Sequence, residues 1–249
     1  MQNPYLSIII PCHNEADRLA ASFERLHNEY LDRALRSYEI IVVDNGSHDK
    51  TLKQALLLSR TYQNVTVLGV QERGKGLAVR TGMLAARGTW RLMADADWSM
   101  PPSEIARLLP RPGDPEFDVC IASRELRGAH ITTSFKRRMI GRVFNFIVWA
   151  VLGLPFSDTQ CGFKLFSARS AECIFSRSTV DGLTFDVEVL YLALLHGYPI
   201  IEQGVTWVND SDSRVRLWED SRQMLKDLFK IRRLHSPPED APSPDKLPV

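Results

Sequence analysis

The sequence predicts an α/β fold, in which a mostly parallel, twisted sheet carries helices on both faces within a single domain. Residues 6–11 and 39–44 are short, continuous apolar runs, which are typical of strands buried in a parallel sheet. Between them, residues 15–30 carry apolar side chains at helical spacing. This order of strand, helix and strand is the pattern of a βαβ unit.

The same alternation continues along the first half of the chain. Further strands are predicted near residues 65–68, 89–94 and 118–123, and helices around Leu52–Leu56 and over 76–87. After residue 124 the alternation weakens, and the spacing predicts helices near 134–152, 168–176, 186–196 and 217–235 and short strands near 164–167 and 200–208. Residues 236–249 contain five prolines and little that could pack, so we expect a disordered tail.

Composition and charge exclude several classes of protein. The net charge of the 249 residues is +1, so no overall field favours nucleic acid. Four widely separated cysteines indicate buried, reduced thiols and a cytoplasmic chain. We expect no signal peptide, because the amino terminus leads directly into a strand. The longest apolar stretch, 144–156, is shorter than the roughly 20 residues that a membrane-spanning helix needs.

Two carboxylates one residue apart follow the strand predicted at 89–94. Asp95 and Asp97 lie just beyond its carboxyl end, because Pro101 and Pro102 prevent the strand from continuing. Ligands of open α/β sheets bind at that edge. Hard carboxylate oxygens suit Mg²⁺ or Mn²⁺, which also takes oxygens from a substrate's phosphates. The pair therefore indicates a metal and nucleotide-diphosphate site, and the alternative is a solvated loop with turn-forming aspartates.

Acidic residues also follow the first two strands. Glu15 comes shortly after the first, and Asp44 ends the second. Each has a structural explanation by itself, as a first-turn carboxylate of a helix or as part of a turn with Gly46. Together with Asp95 they place acids after three strand ends, where the N–H and O–H groups of a nucleoside would bind them. For His13, between these positions, we expect a structural role.

The segment 69–76 has the spacing of a P-loop as far as its lysine, but position 76 is glycine. A P-loop needs serine or threonine there to hold Mg²⁺, so we reject an NTPase. A milder interpretation is that Gly74, Lys75 and Gly76 approach an anion at a helix amino terminus. An ordinary loop explains the segment equally well.

Taken together, these motifs resemble those of a known enzyme family. The segments 11–15, 42–47, 74–80 and 95–97 are similar, in this order, to the motifs of inverting family 2 glycosyltransferases with the GT-A fold. The later segments 158–166 and 185–188 resemble the branch of polyprenyl-phosphate sugar synthases, especially the β-glucosyltransferases. The resemblance covers about residues 5–234. Asn45 departs from it, because many relatives have a second aspartate there.

The resemblance implies specific roles. Nucleotide-sugar binding falls to Pro11, Asn14, Glu15, Asp44, Gly46, Lys75 and Asp95. A divalent cation, Mg or Mn, would be held by Asp95 and Asp97. Arg124 and Arg214 would contact phosphate, and the alternative for both is a surface salt bridge. The catalytic residues would be Asp97, Asp186 and Arg124. Asp186 and Glu188 start a predicted helix, where one hypothesis is that they orient acceptor or sugar hydroxyls and the alternative is stabilisation by the helix dipole. Residues 1–125 would bind the nucleotide and 126–235 the acceptor, within one glycosyltransferase domain spanning 1–235.

The implied reaction moves a hexose, glucose from UDP-glucose, to a polyprenyl phosphate at the cytoplasmic face of a membrane. Peripheral membrane contact is indicated by two segments, in which Lys136, Arg137, Arg138 and Arg142 precede an apolar stretch and basic and apolar residues mix in 217–235. Core packing with a solvated basic face explains both segments equally well. The alternative functions are transfer from another donor such as GDP-mannose or to a soluble or protein acceptor, and a catalytically inactive nucleotide-binding module.

Overall fold

The computed structural model describes residues 3–33, 37–126, 129–132, 135–208 and 217–235, and the side chains of these residues except within 130–137 and 217–222. The strands are β1 (Leu6–Cys12), β2 (Tyr38–Asn45), β3 (Val65–Val70), β4 (Trp90–Met93), β5 (Val119–Ser123), β6 (His130–Thr132), β7 (Lys164–Ser167), β8 (Ile200–Gly204) and β9 (Thr206–Val208). The helices are α1 (Leu19–Glu29), α2 (Thr51–Thr61), α3 (Lys75–Ala85), α4 (Ile105–Leu108), α5 (Phe135–Leu152), α6 (Ala168–Phe175), α7 (Phe185–Leu195) and α8 (Leu217–Leu234). Every strand and helix predicted above is present within a few residues.

Seven strands form one sheet in the order β3-β2-β1-β4-β7-β5-β8. All neighbours are parallel except β7, which lies antiparallel between β4 and β5. Lys164 at the start of β7 faces Met93 on one side and Ile121 on the other. The two short strands β6 and β9 pair in a separate parallel sheet. The prediction of a mostly parallel sheet is confirmed.

Both faces of the sheet are covered, because successive strand residues point in opposite directions. Ile9 of β1 is fully buried in a core formed with α3, α6 and α7. Its neighbours Ile8 and Ile10 lie in a second core with α1. Gly82 of α3 lets that helix approach β1, since a Cβ there would lie 2.5 Å from the Ile9 side chain. The sheet is therefore the middle layer of three.

Helix α1 begins later than the pattern predicted. The carbonyl of Glu15 accepts the N–H groups of Arg18 and Leu19, so residues 15–18 form a turn before the helix. Asn14 precedes this turn with a φ of 55°, a left-handed conformation that asparagine tolerates. The explanation of Glu15 as a first-turn helix carboxylate is therefore wrong.

The cysteines are free as expected, with three buried and Cys173 half-buried. Among the helices that the structure describes, none is long and apolar enough to cross a membrane. The tail predicted at 236–249 lies outside the described residues.

Glu39 carries a buried carboxylate that ties β1, β2 and the end of α3 together. It accepts hydrogen bonds from the Ser7 hydroxyl at 2.7 Å, from the Arg87 amide at 2.7 Å and from the Arg87 guanidinium. Burial alone would raise the pKa of Glu39, but these hydrogen bonds and the Arg87 charge lower it below 4.5. The charged form is therefore the one that the folded state favours.

Glu39→Gln should lower the free energy of unfolding by about 1–2 kcal/mol at pH 7, because it weakens charge-assisted hydrogen bonds. A carboxylate whose pKa is lower in the folded than in the unfolded protein stabilises the fold fully at pH values above its unfolded-state pKa. This stabilisation is lost as the pH falls through its folded-state pKa. The difference in the free energy of unfolding between wild type and variant should therefore be largest above about pH 4.5 and become smaller below it. Urea unfolding at pH 7 and pH 3 measures this, with the exposed Glu24→Gln as control. A difference that stays constant with pH would contradict it.

Candidate active site

The ends of three strands meet at one edge of the sheet, as their acidic residues predicted. Cys12 at the end of β1 lies opposite Asp44 of β2, and Asp95 follows β4 on the other side of β1. Burial, and then the charges of Glu15 and Asp44, raise the pKa of the Cys12 thiol. Glu15 and Asp44 therefore both lie near the end of β1.

Lys75 and Asp95 form an ion pair at this edge, with 2.7 Å between Nζ and Oδ1. Burial lowers the pKa of Lys75, but the charges of Asp95 and then of Asp186 outweigh this and raise it. Lys75 is therefore a permanent cation next to the carboxylates. Lys75 was predicted to approach an anion, and the anionic group that it contacts in this structure is the Asp95 carboxylate.

The glycines beside Lys75 have a packing role. A Cβ on Gly74 would lie 2.6 Å from the carbonyl of Asp181, and one on Gly76 would lie 2.2 Å from the carbonyl of Val180. The amide of Gly76 donates to Asp181, and that of Gly74 to the side chain of Asn45 at 2.7 Å. Both amides therefore have partners within the protein. The interpretation that these glycines bring backbone N–H groups to an anion is wrong, because the glycines serve close packing instead.

Asp97 lies in a strained turn next to Asp95. Burial, and then the Asp95 charge, raise the pKa of Asp97, and one of its oxygens accepts the Ser99 N–H at 3.0 Å. The next residue, Trp98, has a φ of 48°, which is costly for a bulky side chain. Its buried ring packs on Phe163 with 5.7 Å between centroids. The packed ring holds the Asp95–Asp97 turn in place.

The donor set fits a divalent cation that shares its ligands with a substrate. Within the described ranges, no cluster of three or more histidine, cysteine, aspartate or glutamate side chains has the arrangement of a metal site. Asp95 and Asp97 supply two carboxylates whose mutual repulsion a cation would relieve. Mg²⁺ is typically held by one or two carboxylates plus phosphate oxygens.

Asp44 has a buried carboxylate oxygen that no protein donor satisfies within the described part of the chain. Its Oδ2 accepts the Ser47 N–H at 3.4 Å, in a turn where Gly46 has a φ of 60°. Its Oδ1 is buried and has no hydrogen-bond partner among the residues that the structure describes. A buried acceptor without a donor is costly, so this oxygen is suited to an N–H or O–H group of a ligand.

The neighbouring predicted residues lie at the end of β1 and in the loop that follows it. Pro11 is buried in β1 beside Val43. The Asn14 side chain accepts the His48 N–H at 2.9 Å and so braces the loop after β2. His13 Nδ1 lies 2.7 Å from the carbonyl of Asn45, in agreement with the structural role expected for it.

Arg124 belongs to a half-buried ion pair at the end of β5. Its Nε and Nη2 donate to the two oxygens of Asp158 at 2.6 and 2.8 Å, and its guanidinium lies 5.0 Å from the ring centroid of Trp207. Burial alone would raise the pKa of Asp158, but the Arg124 charge and hydrogen bonds outweigh burial and lower this pKa below its usual value. A surface salt bridge is therefore not the right description, because Asp158 is buried. Arg214 lies outside the described residues.

The two acids of α7 have different surroundings. Asp186 accepts a hydrogen bond from the ammonium of Lys164, close to Lys75. Glu188 is fully buried and accepts from Thr179, from the Val180 amide and from His235. The possibility that Glu188 orients a substrate hydroxyl is therefore wrong, because it anchors the loop that packs on α3.

Three residues of this site were missed in the sequence, namely Asp158, Gly162 and Lys164. Gly162 abuts Asp95, since a Cβ there would lie 1.8 Å from Asp95 Oδ2. The sequence signal for this part of the site was the apolar run of residues 163–166, which directly follows Gly162 and contains Lys164.

Comparison with known proteins agrees with this geometry. Residues 7–175 match glycosyl transferase family 2. The chain is 35% identical over 245 residues to a dolichyl-phosphate beta-glucosyltransferase of Dictyostelium discoideum, covering 93% of this chain and 75% of the relative. It is also 35% identical to the protein of that name from Homo sapiens, covering 91% and 74%.

Solved structures share the fold at lower sequence identity. Glucosyl-3-phosphoglycerate synthase from Mycobacterium tuberculosis, in complex with UDP, superposes with a TM-score of 0.65 at 17% identity, covering 94% of this chain and 82% of that one. A mannosyltransferase from Pyrobaculum calidifontis, in complex with GDP-Man and Mn²⁺, superposes with a TM-score of 0.62 at 19% identity, covering 99% and 68%. The GT-A-like fold is confirmed, and the chain belongs to glycosyl transferase family 2.

Proposed function

We propose that this glycosyltransferase moves glucose from UDP-glucose to a polyprenyl phosphate with inversion of configuration. The observation that carries the proposal is the group of Asp95, Asp97 and Lys75 at the edge of the sheet, beside the orphaned oxygen of Asp44. The donor and acceptor classes are those indicated by the relatives, which are named as dolichyl-phosphate beta-glucosyltransferases.

On the donor side, Asp95 and Asp97 would hold Mg or Mn. When bound, such an ion supplies positive charge that favours departure of the nucleotide diphosphate. Lys75 adds a second positive charge at the same place. The orphaned Asp44 oxygen would accept a hydrogen bond from the nucleoside, and Pro11, Asn14, Glu15 and Gly46 form the walls around it.

On the acceptor side, the reaction needs little help from a base. A phosphate monoester has a second pKa near 6, so it is mostly a dianion at pH 7 and already a nucleophile. Asp186 accepts a hydrogen bond from the Lys164 ammonium, and we assign it to orienting neighbouring groups. Arg124 lies at the same edge, and we assign it to the acceptor phosphate together with Arg214.

A lipid acceptor requires contact with a membrane, and α5 offers a suitable face. Phe144, Val148 and Leu152 are buried, whereas Phe146 is 64% exposed and Trp149 54% exposed on the other side of the helix. The two exposed rings lie 5.7 Å apart and line a depression with residues 154–157. Exposed aromatic residues of this kind are typical of membrane interfaces.

Basic residues lie at the start of the same helix. Arg138 and Arg142 are both paired with Glu125, which reduces their attraction for anionic lipid. The side chains of Lys136 and Arg137 lie outside the described residues. On α8, Phe229 is 64% exposed and Arg232 bonds to the carbonyl of Val151, so α8 extends the surface of α5. We propose that both helices face the cytoplasmic side of a membrane.

The direct test offers UDP-glucose and GDP-mannose in turn, each with a short polyprenyl phosphate, a polyprenol or 3-phosphoglycerate. We expect transfer from UDP-glucose to the polyprenyl phosphate, abolished by EDTA and restored by Mg²⁺ or Mn²⁺. Asp97→Asn should lower kcat by about 100-fold or more, because it weakens charge stabilisation of the leaving group. Transfer only to 3-phosphoglycerate or only from GDP-mannose would overturn the substrate assignment. UDP binding without turnover would favour a binding module.

Asp44→Ala should raise the KM for UDP-glucose by about 10-fold and change kcat little, because the lost hydrogen bond is made equally in the ground and transition states. Steady-state kinetics with the donor varied measure this. Asp49, whose carboxylate bonds within the neighbouring loop, provides the matched control as Asp49→Ala. A lower kcat at unchanged KM would remove Asp44 from the nucleoside pocket.

Phe146→Ser with Trp149→Ser should weaken binding to phosphatidylcholine–phosphatidylserine vesicles by about 10-fold, because two aromatic side chains no longer enter the interface. Co-sedimentation with the vesicles measures this. Leu52→Ser with Leu56→Ser is the matched control, since these leucines are 43% and 44% exposed on α2. Equal binding of both double variants would contradict a membrane role for α5.

A further inference from the structure

We propose that Lys164 is a positioning residue for glucose transfer, whose buried ammonium holds Asp186 and the turn behind Asp95 in one arrangement. The inference rests on the proposed function and adds to it a residue that contacts neither donor nor acceptor. It follows from the burial of Lys164, its two partners and what each partner touches.

Burial is the first observation. Lys164 is completely buried within the sheet, between Met93 of β4 and Ile121 of β5. A charged ammonium that has lost its water needs strong compensation. Apolar residues in place of a buried ion pair are often as stable or more stable, so stability alone is a weak reason for a lysine here.

The first partner is Asp186, in the first turn of α7. The Lys164 ammonium donates to Asp186 Oδ1. The charge of Asp186 in turn acts on Lys75, which is bound to Asp95. From the inside of the sheet to the donor site, cations and carboxylates therefore alternate in the order Lys164, Asp186, Lys75 and Asp95. Lys164 is the innermost member of this series.

The second partner is the turn that precedes β7. The Lys164 ammonium also donates to the carbonyl of Cys161 at 2.6 Å. The next residue, Gly162, lies directly against Asp95, where a Cβ would be 1.8 Å from Oδ2. The same turn begins at Asp158, which binds Arg124. A shift of this turn would therefore move groups on both the donor and the acceptor side.

Loss of the Lys164 ammonium should consequently disturb the donor site even when Asp186 no longer needs a counter-charge. Residues that orient metal ligands typically change metal affinity or activity by about 10- to 100-fold when they are mutated. A lysine that only neutralised Asp186 would lose its importance once Asp186 became uncharged. This difference separates positioning from simple charge compensation.

The experiment compares four variants, Lys164→Met, Asp186→Asn, the double variant and Arg91→Met. Calorimetry measures UDP binding in MnCl₂, and kinetics give kcat and the KM for UDP-glucose. Arg91 is the matched control, because it is a buried cation of β4 that faces Phe166 and bonds to the carbonyl of Met83 and to Glu172. Asparagine at 186 removes the charge that Lys164→Met would leave unpaired, so the double variant decides the case if Lys164→Met alone fails to fold.

We expect the double variant to bind Mn²⁺–UDP about 10-fold or more weakly than Asp186→Asn, with a lower kcat. Arg91→Met should lose stability but bind Mn²⁺–UDP within about twofold of wild type. Equal affinity and equal kcat in the double variant and in Asp186→Asn would overturn the positioning role. If wild type binds Mn²⁺–UDP but transfers no glucose, the proposed function fails, whereas the comparison of UDP affinities still tests Lys164.

Discussion

Compensation of negative charge at one edge of the sheet is the constraint on which this structure depends. Parallel strands bring their carboxyl ends together, and this chain places acidic residues after several of them. Three acids near this edge have cations within the protein: Lys75 for Asp95, which follows β4, Lys164 for Asp186 of α7, and Arg124 for Asp158 in the turn before β7. Without these cations, burial of the carboxylates would be uncompensated.

Among the described residues, Asp97 and Asp44 are incompletely compensated, and their positions agree with the proposed donor. Asp97 has a raised pKa because it is buried beside Asp95, and Asp44 keeps an oxygen without a donor among the described residues. A cation would satisfy Asp97, and a hydrogen-bond donor would satisfy Asp44. A metal-bound nucleotide supplies both, so the pattern of missing partners agrees with the donor class that the family suggests.

The first half of the fold was predictable because its strands are continuous apolar runs and its helices have clear periodicity. The place of β7 was not predictable, because a strand of four residues carries no local signal for its direction or its neighbours. The role of Gly74 and Gly76 was also hidden. Their partners, Val180 and Asp181, lie more than 100 residues later in the chain, so a local motif suggested an anion-binding loop where the fold uses close packing.

The site residues likewise divide into those with a local sequence signal and those that depend on distant parts of the chain. Acids that directly follow predicted strands could be found, because strand order alone brings them together. Their cations could not be assigned, because an ion pair such as Arg124–Asp158 depends on how the turn before β7 meets the end of β5. Burial of Lys164 was likewise invisible, since a lysine in a short strand is usually expected at the surface.

The insertion of β7 also explains why the two halves of the site can act together. In the order of the sheet, β4 and β5 are not neighbours, because β7 lies between them. Their distance and register are therefore set by β7 and by the turn before it. That turn contacts Asp95 through Gly162 and Arg124 through Asp158. Since its carbonyl at Cys161 is bound by Lys164, one buried ammonium links the surroundings of Asp95 to those of Arg124.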